Sequence, residues 1–155
     1  MRTFLLGALA ASILSAGPGW VGAADDAKDK AVEKELKLLQ GTWVPVSTTV
    51  NGKEMPKQFL KNLQVEIKGN KVTKSAGDRS VKGTITLGPG KNPKTMDTTL
   101  VAPNGKKIKV LAIYSIKGNK LTVYGVGPGK KRPKKFASEK DSGQELTVYK
   151  RKKSD

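Results

Sequence analysis

The chain has 155 residues, carries 30 Lys and Arg against 13 Asp and Glu, and contains neither Cys nor His. This length suits one ordinary domain and is enough to enclose a hydrophobic core. The absence of Cys excludes disulfides, thiolate nucleophiles and thiolate metal sites, and the absence of His removes imidazole bases and the commonest metal ligand. The formal net charge of +17 bears on solubility and anionic partners rather than on the fold.

Residues 1–23 have the pattern of a secretory signal peptide. The positive start Met1–Arg2 precedes an apolar run over residues 3–14, residues 17–19 break that run, and residues 21–23 are small enough for a signal peptidase. The run is short and interrupted compared with the roughly 20 apolar residues of a membrane-spanning helix, although an uncleaved anchor is the alternative. We therefore expect an exported protein, periplasmic or extracellular, with no integral membrane span after signal cleavage.

A helix is predicted over residues 24–40, because apolar residues recur there at helical spacing. Gly41 can end this helix in a left-handed backbone conformation. From Gly41 onward the apolar residues alternate with polar ones, which predicts a β domain over residues 41–151. A basic tail follows at residues 152–155.

The β domain is predicted to contain about eight short strands joined by tight turns. Pro45 lacks an N–H donor, so the first strand needs an edge, a bulge or a break near that residue. Leu111 and Ile113 lie on the second face of an apolar strand, which suggests that a helix or loop also covers that face. The predicted strands cover residues 42–50, 63–68, 71–75, 81–87, 94–101, 107–116, 121–126 and 145–150.

The predicted fold class is all-β, an antiparallel up-and-down barrel of about eight strands. Closure into a barrel is the simplest way for such a meander to avoid exposed edges. The N-terminal helix would cover one end. A short helix begins at Pro56 after the first strand and reaches about Asn62, with Phe59 and Leu60 as its apolar contacts. A two-sheet sandwich is the competing architecture, because periodicity does not separate the two.

The segment Leu39-Gln40-Gly41-Thr42-Trp43 resembles the start of a lipocalin-like domain, with Gly41 and Trp43 in its Gly-x-Trp element. The order of further motifs resembles a family of uncharacterised secreted domains abundant in planctomycete bacteria. The match runs from about Leu38 to Arg151 and includes an Asn-Gly-Lys turn, an Ile-Lys-Gly-Asn-Lys hairpin and a Gly-Pro-Gly-Lys loop. The resemblance implies a lipocalin-like barrel with no assigned activity, in which Gly41 and Trp43 are structural and Arg151 covers Trp43.

No enzymatic motif is recognisable, and we expect no catalytic residues, no cofactor and no metal ion. The chain lacks the Gly-x-Ser-x-Gly and Ser-x-x-Lys nucleophile motifs. Its Gly-Pro-Gly-Lys segments at residues 88–91 and 127–130 lack the full spacing of a phosphate-binding loop, so plain turns are the better interpretation. The carboxylates mostly fall at turns or on solvent-facing strand positions.

Two binding hypotheses remain, both for a protein that we expect to be a monomer. A barrel of about eight strands has an interior that is either filled by side chains or able to hold one small apolar ligand. The residues predicted to line such a pocket are Trp43, Val65, Ile67, Ile85, Met96, Val110, Tyr114 and Val123.

The second hypothesis starts from the basic clusters near the C-terminus. Dense positive charge attracts nucleic acid, anionic lipid or acidic polysaccharide through counterion release. These clusters contain almost no aromatic residues, so base stacking is not indicated. The predicted anion-binding residues are Lys130, Lys131, Arg132, Lys134, Lys135, Lys152 and Lys153.

Overall fold

The structure is a computed structural model that describes residues 22–137, 140 and 142–153. The predicted signal peptide therefore lies outside the described residues up to position 21, as do residues 154–155 of the predicted tail. In chain order the elements are α1 (Gly22–Leu39), β1 (Gly41–Val50), β2 (Lys53–Glu54), α2 (Lys57–Leu60), β3 (Leu63–Lys68), β4 (Lys71–Ala76), β5 (Arg79–Gly88), β6 (Thr95–Val101), β7 (Lys107–Lys117), β8 (Lys120–Val126) and β9 (Gln144–Arg151).

Eight of the strands form a closed barrel. Neighbours from β3 to β9 pair antiparallel in sequence order, and β1 pairs with both β3 and β9 to close the ring. The two-residue strand β2 adds to the end of β1. The predicted antiparallel up-and-down barrel, with its N-terminal helix and a short helix after the first strand, is thus confirmed. The sandwich alternative is wrong, because β1–β9 pairing leaves one continuous sheet.

The two ends of the barrel differ. At the end we call closed, β1 begins and the turn between β3 and β4 lies next to the C-terminal end of α1, where the Gln40 side chain hydrogen-bonds to Gly69. At the opposite end, which we call the mouth, β1 ends and β9 begins. The strands alternate direction between these two ends, so every turn can be assigned to one of them.

The irregularity expected at Pro45 is a β-bulge. The register between β1 and β9 shifts between Pro45 and Ser47. On its other side, β1 pairs with β3 only from Gly41 to Trp43, so Pro45 lies beyond that ladder and its missing donor disrupts no bond with β3. The bulge therefore lets a proline sit in a strand that closes the barrel.

The hydrophobic core fills the closed half of the barrel. Leu36 and Leu39 of α1 pack against it, and the Leu39 side chain is 0% exposed. This burial explains why α1 is stable although its apolar stripe is narrow, since most helical stability in proteins comes from packing. The buried cluster consists of Leu39, Trp43, Ile67, Val72, Ile85, Leu87, Met96, Ala112, Tyr114, Leu121 and Tyr149.

The loop after β8 covers part of the outer face, as the apolar residues of β7 predicted. Ile113 points outward yet is buried. In the covering loop, Arg132 donates to the Ala112 carbonyl at 2.7 Å and pairs with Asp97 of β6 at 2.5 Å. The Tyr124 hydroxyl of β8 donates to the Ala137 carbonyl. This loop is therefore part of the folded body.

The predicted apolar contact of Phe59 is wrong, because its side chain is 60% exposed whereas Leu60 is 5% exposed. Helix α2 is a single turn and ends at Leu60, before the predicted Asn62. Adjacent residues on a helix point about 100° apart, so one turn directs only one of the two toward the barrel.

We expect Leu39→Ala to lower the free energy of unfolding by about 2–5 kcal/mol, because it empties a fully buried site where α1 meets the barrel. Urea unfolding monitored by Trp fluorescence measures this change. The matched control is Leu38→Ala, whose side chain is 45% exposed and should cost less than about 1 kcal/mol. Equal losses for the two variants would contradict the proposed packing of α1.

Candidate functional site

A cavity of about 370 Å³ occupies the mouth half of the barrel. Its walls are mostly apolar, and its volume lies within the range of small-molecule pockets, which starts at about 300 Å³. The residues that line it are Val50, Asn51, Lys74, Val110, Val123, Gly125, Val126, Gly127, Gly143, Gln144, Glu145, Thr147 and Tyr149.

A second and much smaller space of about 40 Å³ lies deeper in the barrel. It has room for little more than one water-sized group. Lys74, Val123 and Tyr149 line both spaces, so these three residues mark the boundary between them. The interior is thus filled toward the closed end and open toward the mouth. The number of strands alone allows either a filled interior or a ligand pocket, and this barrel has one in each half.

The residues predicted to line a pocket fall at different depths. Val110 and Val123 line the mouth cavity. Tyr114 lies toward the closed end, where its hydroxyl donates to Glu35 of α1. The residues around the small inner space include Trp43, Val65, Ile67, Ile85, Met96 and Val123.

Tyr114 belongs to a buried polar cluster that fastens α1 to the barrel. Its hydroxyl lies 2.9 Å from Glu35 Oε2, and Lys94 Nζ lies 2.5 Å from Glu35 Oε1. Glu35 is 8% exposed, and a carboxylate so buried needs such partners because an unpaired one is costly. Burial, and then hydrogen bonding to Glu35, raises the pKa of Tyr114. The phenol therefore stays protonated and remains a donor.

Trp43 and Arg151 meet at the closed end, together with Gly41. The Arg151 guanidinium lies 4.2 Å from the centre of the Trp43 ring, and Nη2 donates to the Leu38 carbonyl at 2.7 Å. Trp43 Nε1 donates to the Leu39 carbonyl at 2.8 Å. The last carbonyls of a helix lack partners within it, so these donors cap α1, and the Arg charge suits its negative end.

Several polar residues of the interior are absent from the predicted pocket. Lys74 lines both spaces, while Glu145 and Thr147 line the mouth cavity. The signal for Lys74 was present in the sequence, because it lies two residues after the buried Val72 on the same strand and so faces the same way. Strand alternation would also have placed Thr147 and Tyr149 together.

The predicted anion-binding residues lie in two different segments of the fold. The loop residues Lys130–Lys135 follow β8 at the mouth, whereas Lys152 and Lys153 follow β9 at the closed end. Arg132 is already engaged with Asp97, so its charge is neutralised within the protein.

A different set of lysines does come together. Lys117 of β7 pairs directly with Lys120 of β8, and Lys120 pairs directly with Lys150 of β9. All three are exposed on the outer face, near Lys152, and no ion pair joins them to a carboxylate among residues 22–137, 140 and 142–153. We call Lys117, Lys120 and Lys150 the lysine row. Like charges directly opposite each other destabilise a sheet, so this row concentrates positive charge at some cost.

Comparison of the chain with protein-family models, with curated proteins and with solved structures finds no match. Neither helix in the described part of the chain is long and apolar enough to cross a membrane. Within the same residues, no group of three or more Asp and Glu side chains is placed to hold a metal ion.

We expect the free energy of unfolding to fall as the pH rises above about 10, the ordinary pKa of tyrosine. Burial, and then the charge of Glu145, raises the pKa of Tyr149, and the pKa of Tyr114 is raised as well. The unfolded chain therefore loses these protons first. The stability is fully present below that pH and decreases above it, by up to about 1.4 kcal/mol per pH unit for each tyrosine.

Urea unfolding of the wild type and of Tyr149→Phe between pH 9 and pH 11 measures this dependence. The two proteins differ only at residue 149, so the difference between the two curves isolates Tyr149. The variant should lose stability less steeply. Parallel curves would refute the contribution of this residue.

Proposed function

We propose that this protein is an exported lipocalin-like domain that binds a small apolar or amphipathic molecule inside its barrel and catalyses no reaction. The observation that carries the proposal is the cavity of about 370 Å³ at the mouth. A cavity of this size with apolar walls and few polar groups is typical of small-molecule sites.

The division of the interior supports the proposal. The packed closed half holds the strands in place, so the open half does not depend on a ligand for its shape. The small inner space is about 40 Å³ and cannot admit a ligand of its own. A bound molecule would therefore enter from the mouth and stop near Lys74, Val123 and Tyr149.

The resemblance to secreted lipocalin-like domains is consistent with this proposal. Gly41 has a φ of +109°, which favours glycine. There is also little space for a side chain at this position, since an added Cβ would lie 3.2 Å from an Arg151 nitrogen. Trp43 and Arg151 contact each other beside it. These three residues hold the closed end and do not line the mouth cavity.

We expect Val110→Trp to lower the affinity for a neutral, polarity-sensitive fluorescent dye by at least about tenfold, because the larger side chain would fill the mouth cavity. Titration of the folded protein with the dye, excited directly, measures the affinity. A dye bound by the wild type and the variant with the same affinity would place the site elsewhere.

The matched control is Val101→Trp, which makes the same substitution at an exposed position of β6. It should bind the dye like the wild type. Circular dichroism of both variants shows whether the barrel is retained. No dye binding by the wild type, at a level above that of a non-binding protein, would mean that the cavity is not a ligand site.

The lysine row supports a second candidate function, adhesion to a linear acidic polysaccharide. Three exposed ammonium groups on adjacent strands span about 10 Å and face no carboxylate among the described residues. Beside them a surface groove is lined by the exposed Val46 and by Tyr149, the one aromatic residue in its lining, which is buried and so is not available for base stacking. A flexible sugar chain with regularly spaced acidic groups fits this arrangement.

Replacement of Lys117, Lys120 and Lys150 by Gln should lower the salt concentration at which the protein elutes from a heparin column. Each lost contact should reduce the dependence of log affinity on log salt by roughly 0.7–0.9. The control replaces Lys71, Lys82 and Lys107, which are exposed and lie elsewhere on the barrel, so the net charge changes equally. Equal elution of the two triple variants would show that only net charge matters.

A further inference from the structure

Lys74 is a basic residue on the inner face of the barrel. In the sheet it pairs with Val65 of β3 and Val81 of β5, and Val65 pairs in turn with Trp43. Residues paired directly across strands point to the same side, so Lys74 faces the interior with these apolar neighbours. It lines both the small inner space and the mouth cavity.

The surroundings of Lys74 offer its charge no partner. No hydrogen bond or ion pair joins its side chain to another residue in the part of the chain that the structure describes. The carboxylate that lines the mouth cavity, Glu145, accepts a hydrogen bond from Thr147 at 3.0 Å. Lys74 is half-buried, and an anion beside such a partly desolvated ammonium group would be favourable.

We propose that Lys74 binds the anionic head group of a single-chain amphipathic ligand, whose apolar chain occupies the mouth cavity. This inference rests on the proposed function. Tyr149 lines the same two spaces, so its side chain lies beside the place proposed for the head group. The ligand class is a small carboxylate with one alkyl chain, and alkyl sulfates and phosphates share the chemistry that Lys74 recognises.

The geometry also sets the direction of the ligand. The inner space of about 40 Å³ holds a group the size of a carboxylate but not an alkyl chain. Glu145 lines only the mouth cavity, and its negative charge would repel a head group left at that level. The head group therefore lies deep, beside Lys74, and the chain extends toward the mouth.

Calorimetric titration with decanoate and with decanol tests this proposal, because the two probes share a chain and differ in charge. The wild type should bind decanoate about ten- to a hundredfold more tightly than decanol, the gain expected from a charged hydrogen bond. Lys74→Met should lose that preference and keep its affinity for decanol. Lys74→Arg should retain the preference.

The matched control is Lys71→Met, three residues earlier on β4, where the side chain is exposed on the outer face. It should behave like the wild type with both probes. Unchanged decanol binding shows that Lys74→Met is folded. If that variant does not fold, the wild type alone tests the inference, and equal affinities of the wild type for decanoate and decanol overturn it.

The outcomes separate the two proposals. Binding of neither probe to the wild type would refute the cavity as a ligand site and the role of Lys74 with it. Equal binding of both probes to the wild type and to Lys74→Met would refute the role of Lys74 alone and leave the proposed function in place. Titration with decyl sulfate and decyl phosphate then ranks the head groups.

Discussion

The contact between Trp43 and Arg151 holds the closed end of the barrel together. The two residues are direct partners in the ladder between β1 and β9, which closes the ring. The guanidinium lies against the indole ring and also donates to the carbonyls of Leu38 and Gln40. A cation–π contact contributes about 0.5–2 kcal/mol, more when it is shielded from water. Because the Arg151 side chain contacts Trp43 across the closing ladder and also caps α1, barrel closure and helix attachment depend on each other.

This dependence explains why the two halves of the interior differ. Helix α1 enters only at the closed end, where Leu39 fills the core and Glu35 holds Lys94 and Tyr114. Among the described residues no comparable element fills the mouth, and its lining includes small residues such as Val110 and Gly125. The helix supplies stability at one end, so the other end can remain open without loss of the fold.

The order of the strands and the fold class could be predicted from the sequence because alternation and turn residues are local signals. The missing donor of Pro45 likewise predicted an edge, a bulge or a break in the first strand, and the structure has a bulge there. The site was predicted less well. Apolar positions such as Val110 and Val123 were found, but Lys74 was not, because a lysine in a strand is normally taken as solvent-facing. The interaction of Glu35 with Tyr114 joins residues 79 positions apart, which no local pattern reveals.

The position of each lysine matters more than the net charge of +17. Lys74 is half-buried on the inner face of the barrel, where its charge is less screened by water than that of a fully exposed lysine. The lysine row is exposed, so water and salt screen each of its charges, and binding of an anion there depends on contacts with several lysines at once. The two features also lie at opposite ends, since the row is near the start of β8 and the cavity near its end. A polyanion bound along the row would therefore leave the mouth open, and a ligand could enter the barrel while the protein is held on a surface.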